Sequence, residues 1–237
     1  MEEDDRATPS TVRDTYDHIA SHFATTREYA WPEVESFIET TDALTERTAP
    51  ANSATRPIVG LDLGCGNCRH AELLAAADTV DRVLGLDISR NLLETGRERA
   101  RTNEFSVALC QGDAATLPLA TDAITVGIYV ATLHHLPTRA LRRRSLDELG
   151  RVLRPDGRAL VSVWSTAHDR FDSDDAAETG FDTTVEWTLP GGETVDRFYH
   201  IYSPPEFERD LERSALDLRE WELSSGNCYA VVAGTQE

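Results

Sequence analysis

Apolar residues recur along this chain with two distinct periods. Near the start, Val12, Tyr16, Ile19 and Phe23 fall four, three and four residues apart, which makes one apolar face of a helix. Pro32 suits the first turn of a second helix carrying Val34, Phe37, Ile38 and Leu44. From residue 58 short apolar runs alternate with helical stretches. Strands are predicted over 58–63, 83–86, 105–110, 123–130 and 158–164, and helices over 69–77, 91–101 and 138–153. Pro155-Asp156-Gly157 reads as the stop of the last of these helices. The pitch predicts an α/β fold whose parallel sheet is covered on both faces. Residues 123–130 are too continuously apolar for a half-exposed strand. The rhythm breaks over 165–196, with nine acids, one Arg, Gly180, Gly191 and Gly192. That segment reads as an acidic insertion, a loop with a small hairpin. A helix over 204–214 follows, then apolar runs over 216–223 and 229–233 that read as a closing antiparallel hairpin.

The first strand runs into Asp62-Leu63-Gly64-Cys65-Gly66-Asn67-Cys68-Arg69, an acid and a two-glycine turn opening a helix. An α/β sheet holds nucleoside-bearing cofactors at this place. A dinucleotide site needs G-x-G-x-x-G, but Arg69 stands at the sixth position. S-adenosylmethionine carries no pyrophosphate and does not need the third glycine. It needs backbone approach at Gly64 and Gly66 and an acid near its amino-acid end, for which Asp62 is the candidate. Asp87, 23 residues after Gly64, ends the second strand, where a carboxylate takes ribose hydroxyls. Ile88 follows it, and Asp113 and Ala114 at the end of the third strand are placed for the adenine. Val130 ends the fourth strand and completes the expected cofactor set. Singly these acids are ordinary strand-end turn formers; three in this order point to S-adenosylmethionine.

Charge sharpens the picture. The chain has 42 acidic and 23 basic residues, a net charge of −19, and every basic residue is Arg. Such a surface repels itself in dilute buffer and is relieved at about 1 M salt, where the Debye length is ~3 Å. A halophilic source is expected. The acidic start, Met1-Glu2-Glu3-Asp4-Asp5, is no secretory signal, and no stretch reaches the ~18 apolar residues of a membrane span, so a cytoplasmic protein is expected. Cys65, Cys68, Cys110 and Cys228 lack the second pair a zinc site needs and read as buried or loop thiols, and no metal is expected.

The fourth strand is followed by Leu133-His134-His135-Leu136, at the edge of the sheet that would face a transferred methyl. No acid-and-proline signature for amine methylation stands there, and no cysteine nucleophile, which leaves oxygen acceptors. One His is expected to function and the other to pack against a carbonyl. Arg27 with Trp31, and Arg197-Phe198-Tyr199-His200, pair arginine with aromatics, as binding of a carboxylate or phosphate beside a base requires. The candidates are therefore His134, His135, Arg27 and Arg197 for catalysis and Trp31, Tyr199 and His200 for the substrate. Residues 138–158 hold seven Arg against three acids, either a solvated face or a surface that steers RNA.

These residues resemble the S-adenosylmethionine-dependent methyltransferases that esterify carboxymethyl-uridine at the tRNA wobble position. Tyr16-Asp17-His18-Ile19-Ala20-Ser21-His22-Phe23 through Arg27, then Trp31-Pro32, resembles their N-terminal signature. Asp62 to Asn67 is similar to their cofactor turn, and Leu133 to Leu136 with Arg142-Arg143 and Leu149 to Pro155 to their central block. Arg197 to His200 and Gly226-Asn227 resemble their C-terminal elements, while Cys68 and Cys228 depart from glycine and tryptophan. The resemblance implies a class I, Rossmann-like fold with a mostly parallel seven-stranded sheet. It implies methyl-ester formation on the tRNA anticodon loop, and a heterodimer with a small zinc-binding activator that pairs with the sheet edge beside the third strand. The expected organisation is a disordered tail (1–10), an N-terminal helical extension covering the cofactor site (11–57) and the methyltransferase domain (58–237) with its insertion. Two other readings share the fold: an O- or C-methyltransferase of small metabolites, and a cofactor-binding subunit without chemistry.

Overall fold

Helix α1, Pro9–Thr25, opens the computed structural model, which describes residues 7–48, 56–171 and 178–235. The helix starts inside the tail expected to be disordered, because Thr8 caps it reciprocally with Thr11 and Pro9 sits in its first turn. Residues 1–6 lie outside those described, as does most of the expected linker after α2, Pro32–Thr48.

Strands β1 (Val59–Leu63), β2 (Arg82–Asp87), β3 (Ala108–Gln111), β4 (Ile124–Val130) and β5 (Leu153–Trp164) run parallel in the order β3-β2-β1-β4-β5. Strands β6 (Phe181–Thr188) and β7 (Thr194–Ile201) form a separate two-stranded sheet. Two antiparallel strands, β8 (Leu216–Ser224) and β9 (Asn227–Gly234), extend the main sheet as β5-β9-β8. This is the expected mostly parallel seven-stranded sheet with a C-terminal hairpin. Residues 155–157, expected to stop a helix, lie within β5, which begins at Leu153 and shifts register on β4 between Ile124 and Val126.

Alternation along the strands divides two cores. Leu61, Leu63 and Tyr129 face α5 (Arg139–Val152) and α6 (Pro204–Glu212) with Leu146, Leu149 and Phe207. Val126, Ile128 and Val130 face α2, α3 (Arg69–Ala76) and α4 (Arg90–Thr102) with Val34, Phe37, Ala71, Leu74 and Leu93. Edge strand β3 is short and mostly exposed, and Cys110 on it is exposed rather than buried in an apolar strand.

The insertion is larger than the 165–196 expected. Strands β6 and β7 make an eight-pair antiparallel hairpin that carries Arg197 to Ile201 with it. Its far end packs on α1 through Trp187, Leu189, Val195 and Phe198.

Candidate active site

The turn after β1 bends at Gly64 (φ +75°), Gly66 (φ +52°) and Cys68 (φ +63°). Its amides at Gly64 and Cys65 both donate to the Leu86 carbonyl, which ties β1 to the end of β2. A Cβ on Gly64 would fall 2.2 Å from Thr132 Oγ1, so only glycine lets the 131–132 segment close over the turn. Asn67 donates its amide to the carbonyls of Ala24 and Arg27 (3.3 and 2.8 Å), fastening the N-terminal extension to this turn. Asp17 accepts from Ser89 Oγ (2.6 Å) and the Asn91 amide (3.0 Å), pinning α1 across the start of α4.

The three strand-end acids differ in what they do. Asp62 is 2% exposed and accepts the Ala71 amide (2.9 Å) at the start of α3. Burial pushes its carboxyl up to about 7. Asp87 accepts from Gly66 and Ser89 (2.9 and 2.8 Å), yet burial outweighs these donors and lifts it to about 6. Asp113 accepts from Ala115 (2.8 Å). Gly64, Gly66, Asp87, Ile88, Asp113 and Ala114 line one open cleft of about 760 Å³, also bordered by Val12, Tyr16 and Phe23 of α1. Asp62 is not in the lining of this cleft, and Val130 lines the neighbouring one.

The residues fit S-adenosylmethionine. The glycine turn offers backbone without Cβ atoms, and Asp87 and Asp113 stand at separate points of a wall made apolar by Ile88, Leu92 and Leu141.

A second cleft, about 1290 Å³, shares the wall of Tyr16, Phe23, Gly64, Gly66, Thr132 and His135 with the first. Arg27, Trp31, His134, His135, Arg197 and Tyr199 all line it. The Trp164 amide donates to His134 Nδ1 (3.0 Å), which leaves Nε2–H as the donor of that ring; the ring stacks on Tyr199 at 4.9 Å. His135 Nδ1–H donates to the Phe198 carbonyl (3.1 Å), and its Nε2 accepts from the Tyr16 hydroxyl (2.9 Å), so its ring is fully engaged. Burial pushes both imidazoles down, His135 to about 3, and both are neutral at ordinary pH.

Arg197 is 5% exposed, donates to the Tyr199 hydroxyl (2.8 Å) and leaves its buried Nε without a partner among the described residues. Its guanidinium lies 4.8 Å from the Trp187 ring, and Arg27 lies 5.6 Å from the same ring. His200 is not part of this cleft. Strand alternation turns it to the other face of the hairpin, where Nδ1 meets Asp182 (2.6 Å) and Nε2 meets Glu206 (3.3 Å).

Trp187, Arg69 and Thr132 belong to the site although sequence patterning does not single them out for it, and Tyr16 and Asn67 enter only as members of the N-terminal signature and the cofactor turn. Tyr16 is hidden in an apolar helix face and Trp187 in an acidic stretch. The basic window of 138–158 is largely consumed by structure. Arg139 pairs with Asp210, Arg151 with Glu148, and buried Arg142 and Arg154 donate to the carbonyls of Leu136 and Pro57.

A seven-stranded sheet ordered this way, with an acid at the end of β2 and a glycine turn after β1, defines a class I S-adenosylmethionine-dependent methyltransferase. A family model described as a methyltransferase domain matches residues 61–161. The chain is 32% identical over 154 residues to the tRNA (carboxymethyluridine(34)-5-O)-methyltransferase ALKBH8 of Mus musculus, a match covering 65% of this chain and 20% of that protein. It is 30% identical over 189 residues to the putative methyltransferase ECU09_1500 of Encephalitozoon cuniculi, covering 79% of this chain and 78% of that one. The chain thus spans about a fifth of the length of the mouse relative. The fold is shared with the CcbJ methyltransferase of Streptomyces caelestis (TM-score 0.66, 20% identity, 97% of this chain and 100% of that one). It is shared too with a chain from the complex between the Haloferax volcanii Trm112 methyltransferase activator and the putative methyltransferase (TM-score 0.59, 15% identity, 95% and 98%). The chain belongs to the methyltransferase family that these sequence relatives define.

Proposed function

We propose that this chain transfers the methyl group of S-adenosylmethionine to the carboxylate of a carboxymethyl-uridine at the tRNA wobble position, forming the methyl ester. The observation that carries the reading is Arg197, a buried guanidinium without a carboxylate partner among the described residues, in a cleft sharing a wall with the cofactor cleft. The names of the sequence relatives support the tRNA substrate.

A carboxylate acceptor is already ionised near neutral pH. No general base is needed, which agrees with two imidazoles held neutral by burial. Arg197 and the Nε2–H of His134 then serve as donors that orient the carboxylate oxygens, and Arg27 adds a second cation beside the Trp187 ring. Tyr16, His135 and Thr132 line both clefts, so a methyl donor held in one and an acceptor held in the other would meet across them. Bound S-adenosylmethionine supplies the electrophilic methyl on its sulfonium; positioning and exclusion of water by Phe23, Trp187 and Tyr199 do the rest. The short, exposed edge strand β3 is the place for an activator subunit to pair. The Haloferax volcanii structural neighbour, which comes from a complex with a Trm112 activator, supports such a partner.

The test is mass spectrometry of nucleosides from tRNA carrying carboxymethyl-uridine, incubated with this chain, a small zinc-binding activator and the cofactor. The methyl ester should appear as the acid disappears. Unchanged tRNA, with methylation of small carboxylic acids or hydroxyl compounds instead, moves the chain to metabolite chemistry and ends this reading.

A further inference from the structure

Four arginines line the acceptor cleft, Arg27, Arg69, Arg170 and Arg197, and none has a carboxylate at salt-bridge distance among the described residues. A single acceptor carboxylate neutralises one of them. Arg197 is the deep one, and Arg170 lies against Trp164, 5.9 Å from its ring. Arg27 and Arg69 stand together at the rim. Both also border a shallow groove of about 820 Å³ formed with Thr25, Thr26, Glu28, Tyr29 and Trp31, which opens off the cleft.

Both rim cations are held by stacking rather than by acids. Arg69 lies 5.4 Å from the Trp31 ring and donates one N–H to the Tyr29 carbonyl (3.3 Å). Arg27 lies 5.1 Å from Phe23, and its own hydrogen bonds are long ones to Thr26 (3.4 and 3.5 Å). Burial first, and repulsion from Arg27 second, bring Arg69 down to about 10. The acids in the lining are Glu28 and Glu186, neither paired with these arginines. Beside the pair, Tyr29 is 77% exposed. In a chain of net charge −19, two guanidinia without an ion pair among the described residues and a bare aromatic ring at the open end of a cleft are a local inversion of the surface.

We propose that Arg69 and Arg27 form a phosphate clamp at the mouth of the acceptor cleft, holding the backbone phosphodiester beside the modified nucleotide, with Tyr29 as a stacking surface for the neighbouring base. The proposal rests on the nucleotide reading of the cleft given above. Planar guanidinium forks match two phosphate oxygens. The groove is shallow and open, as an exit for a continuing chain must be, and an exposed ring beside a cation is what a single-stranded base stacks on. The clamp makes the enzyme prefer a nucleotide within a strand over the free nucleoside.

The experiment compares wild type, Arg69→Gln, Arg69→Lys and Tyr29→Ala with activator present. It measures kcat/KM on an anticodon stem-loop RNA carrying 5-carboxymethyluridine and on the free nucleoside, and RNA affinity across a KCl series. Arg69→Gln should lose about tenfold more on RNA than on the nucleoside, and its slope of log K against log salt should fall by about one. Arg69→Lys should keep the slope. Tyr29→Ala, at a site too exposed to unfold the chain, should cost roughly tenfold in RNA affinity. Equal losses on both substrates with an unaltered slope overturn the clamp. Wild type that methylates RNA while Arg69→Gln keeps its slope overturns the clamp alone. Wild type inactive on both RNA and nucleoside overturns the nucleotide reading and the clamp with it.

Discussion

Arg197→Met should make the protein more stable and nearly inactive. Removing a guanidinium from water without an ionic partner costs several kcal/mol. Arg197 recovers part of this from one charge-assisted hydrogen bond to Tyr199, about 1.5–3 kcal/mol, and from the Trp187 ring at 4.8 Å, up to about 2 kcal/mol. Its orphaned Nε forfeits about 1–3 kcal/mol, and Arg27 on the same indole adds repulsion. The net is a cost of about 1–3 kcal/mol that a methionine of similar length removes. At roughly 2–4 °C per kcal/mol for a chain of this size, Tm should rise by roughly 2–12 °C. The same variant should lose at least ~100-fold in turnover while its affinity for S-adenosylhomocysteine stays within about threefold. Calorimetric melting and calorimetric titration measure stability and affinity on one preparation. Acetate, set against chloride at equal ionic strength, should stabilise wild type more than the variant, since Arg197 is the deep cation of a cleft that keeps Arg27, Arg69 and Arg170. A Tm lowered by more than about 2 °C in a folded variant would refute the reasoning, because Arg197 would then be a net support of the hairpin. Normal turnover would remove it from the acceptor site.

Asp87→Ala should weaken S-adenosylhomocysteine binding by at least ~30-fold in calorimetry, since it removes a carboxylate from the cleft and leaves the amides of Gly66 and Ser89 unpaired. Asp62→Asn should stabilise the chain at pH 8 and hardly at all at pH 4. The native carboxyl, raised from 3.8 to about 7, favours the folded state below its unfolded value, and that advantage is lost as pH rises through about 7. The variant's gain in guanidine unfolding should therefore grow across this window by up to about 4 kcal/mol. Gly64→Ala should cost about 2–5 kcal/mol, from the positive φ and a collision with Thr132, and Thr132→Gly in the same chain should recover the collision but not the backbone contribution. Thermal melts in rising KCl should show Tm climbing toward molar salt; a Tm constant from low to molar KCl would remove the halophilic expectation.

How far the site can be read from sequence depends on whether parity can be counted. The parallel sheet is legible because its strands are nearly all apolar and its helices are not, and the strand-end acids follow from that placement. The hairpin is harder. Its acids mask the alternation, but with the register Val185–Arg197 and Asp182–His200 fixed, Val185, Trp187, Arg197 and Tyr199 fall on one face and Asp182 and His200 on the other. Arg197-Phe198-Tyr199-His200 therefore splits between two surfaces, which a count of two along a strand reveals. Trp187 cannot be found that way without knowing its partner strand. Asp62 shows a different limit. Its place at the end of β1 is legible, but whether it reaches the cleft or caps α3 through Ala71 depends on a side-chain direction that no spacing encodes.

Net charge is the property most easily misread. A chain at −19 looks unfit for a polyanion, and the arginine-rich 138–158 window looks like the remedy. The fold takes up four of the seven arginines in that window and leaves Arg143 and Arg144 exposed. Arg139, Arg142, Arg151 and Arg154 hold helix α5 and strand β5 in place. The guanidinia of the cleft that lack an acid among the described residues come from four separate segments, at Arg27, Arg69, Arg170 and Arg197. At molar salt, phosphate contacts lose most of the gain that comes from releasing counterions. An enzyme working there must draw affinity from what salt does not screen: stacking on rings such as Trp31, Trp187 and Tyr199, and a few cations buried deeply enough to sit outside the ionic atmosphere.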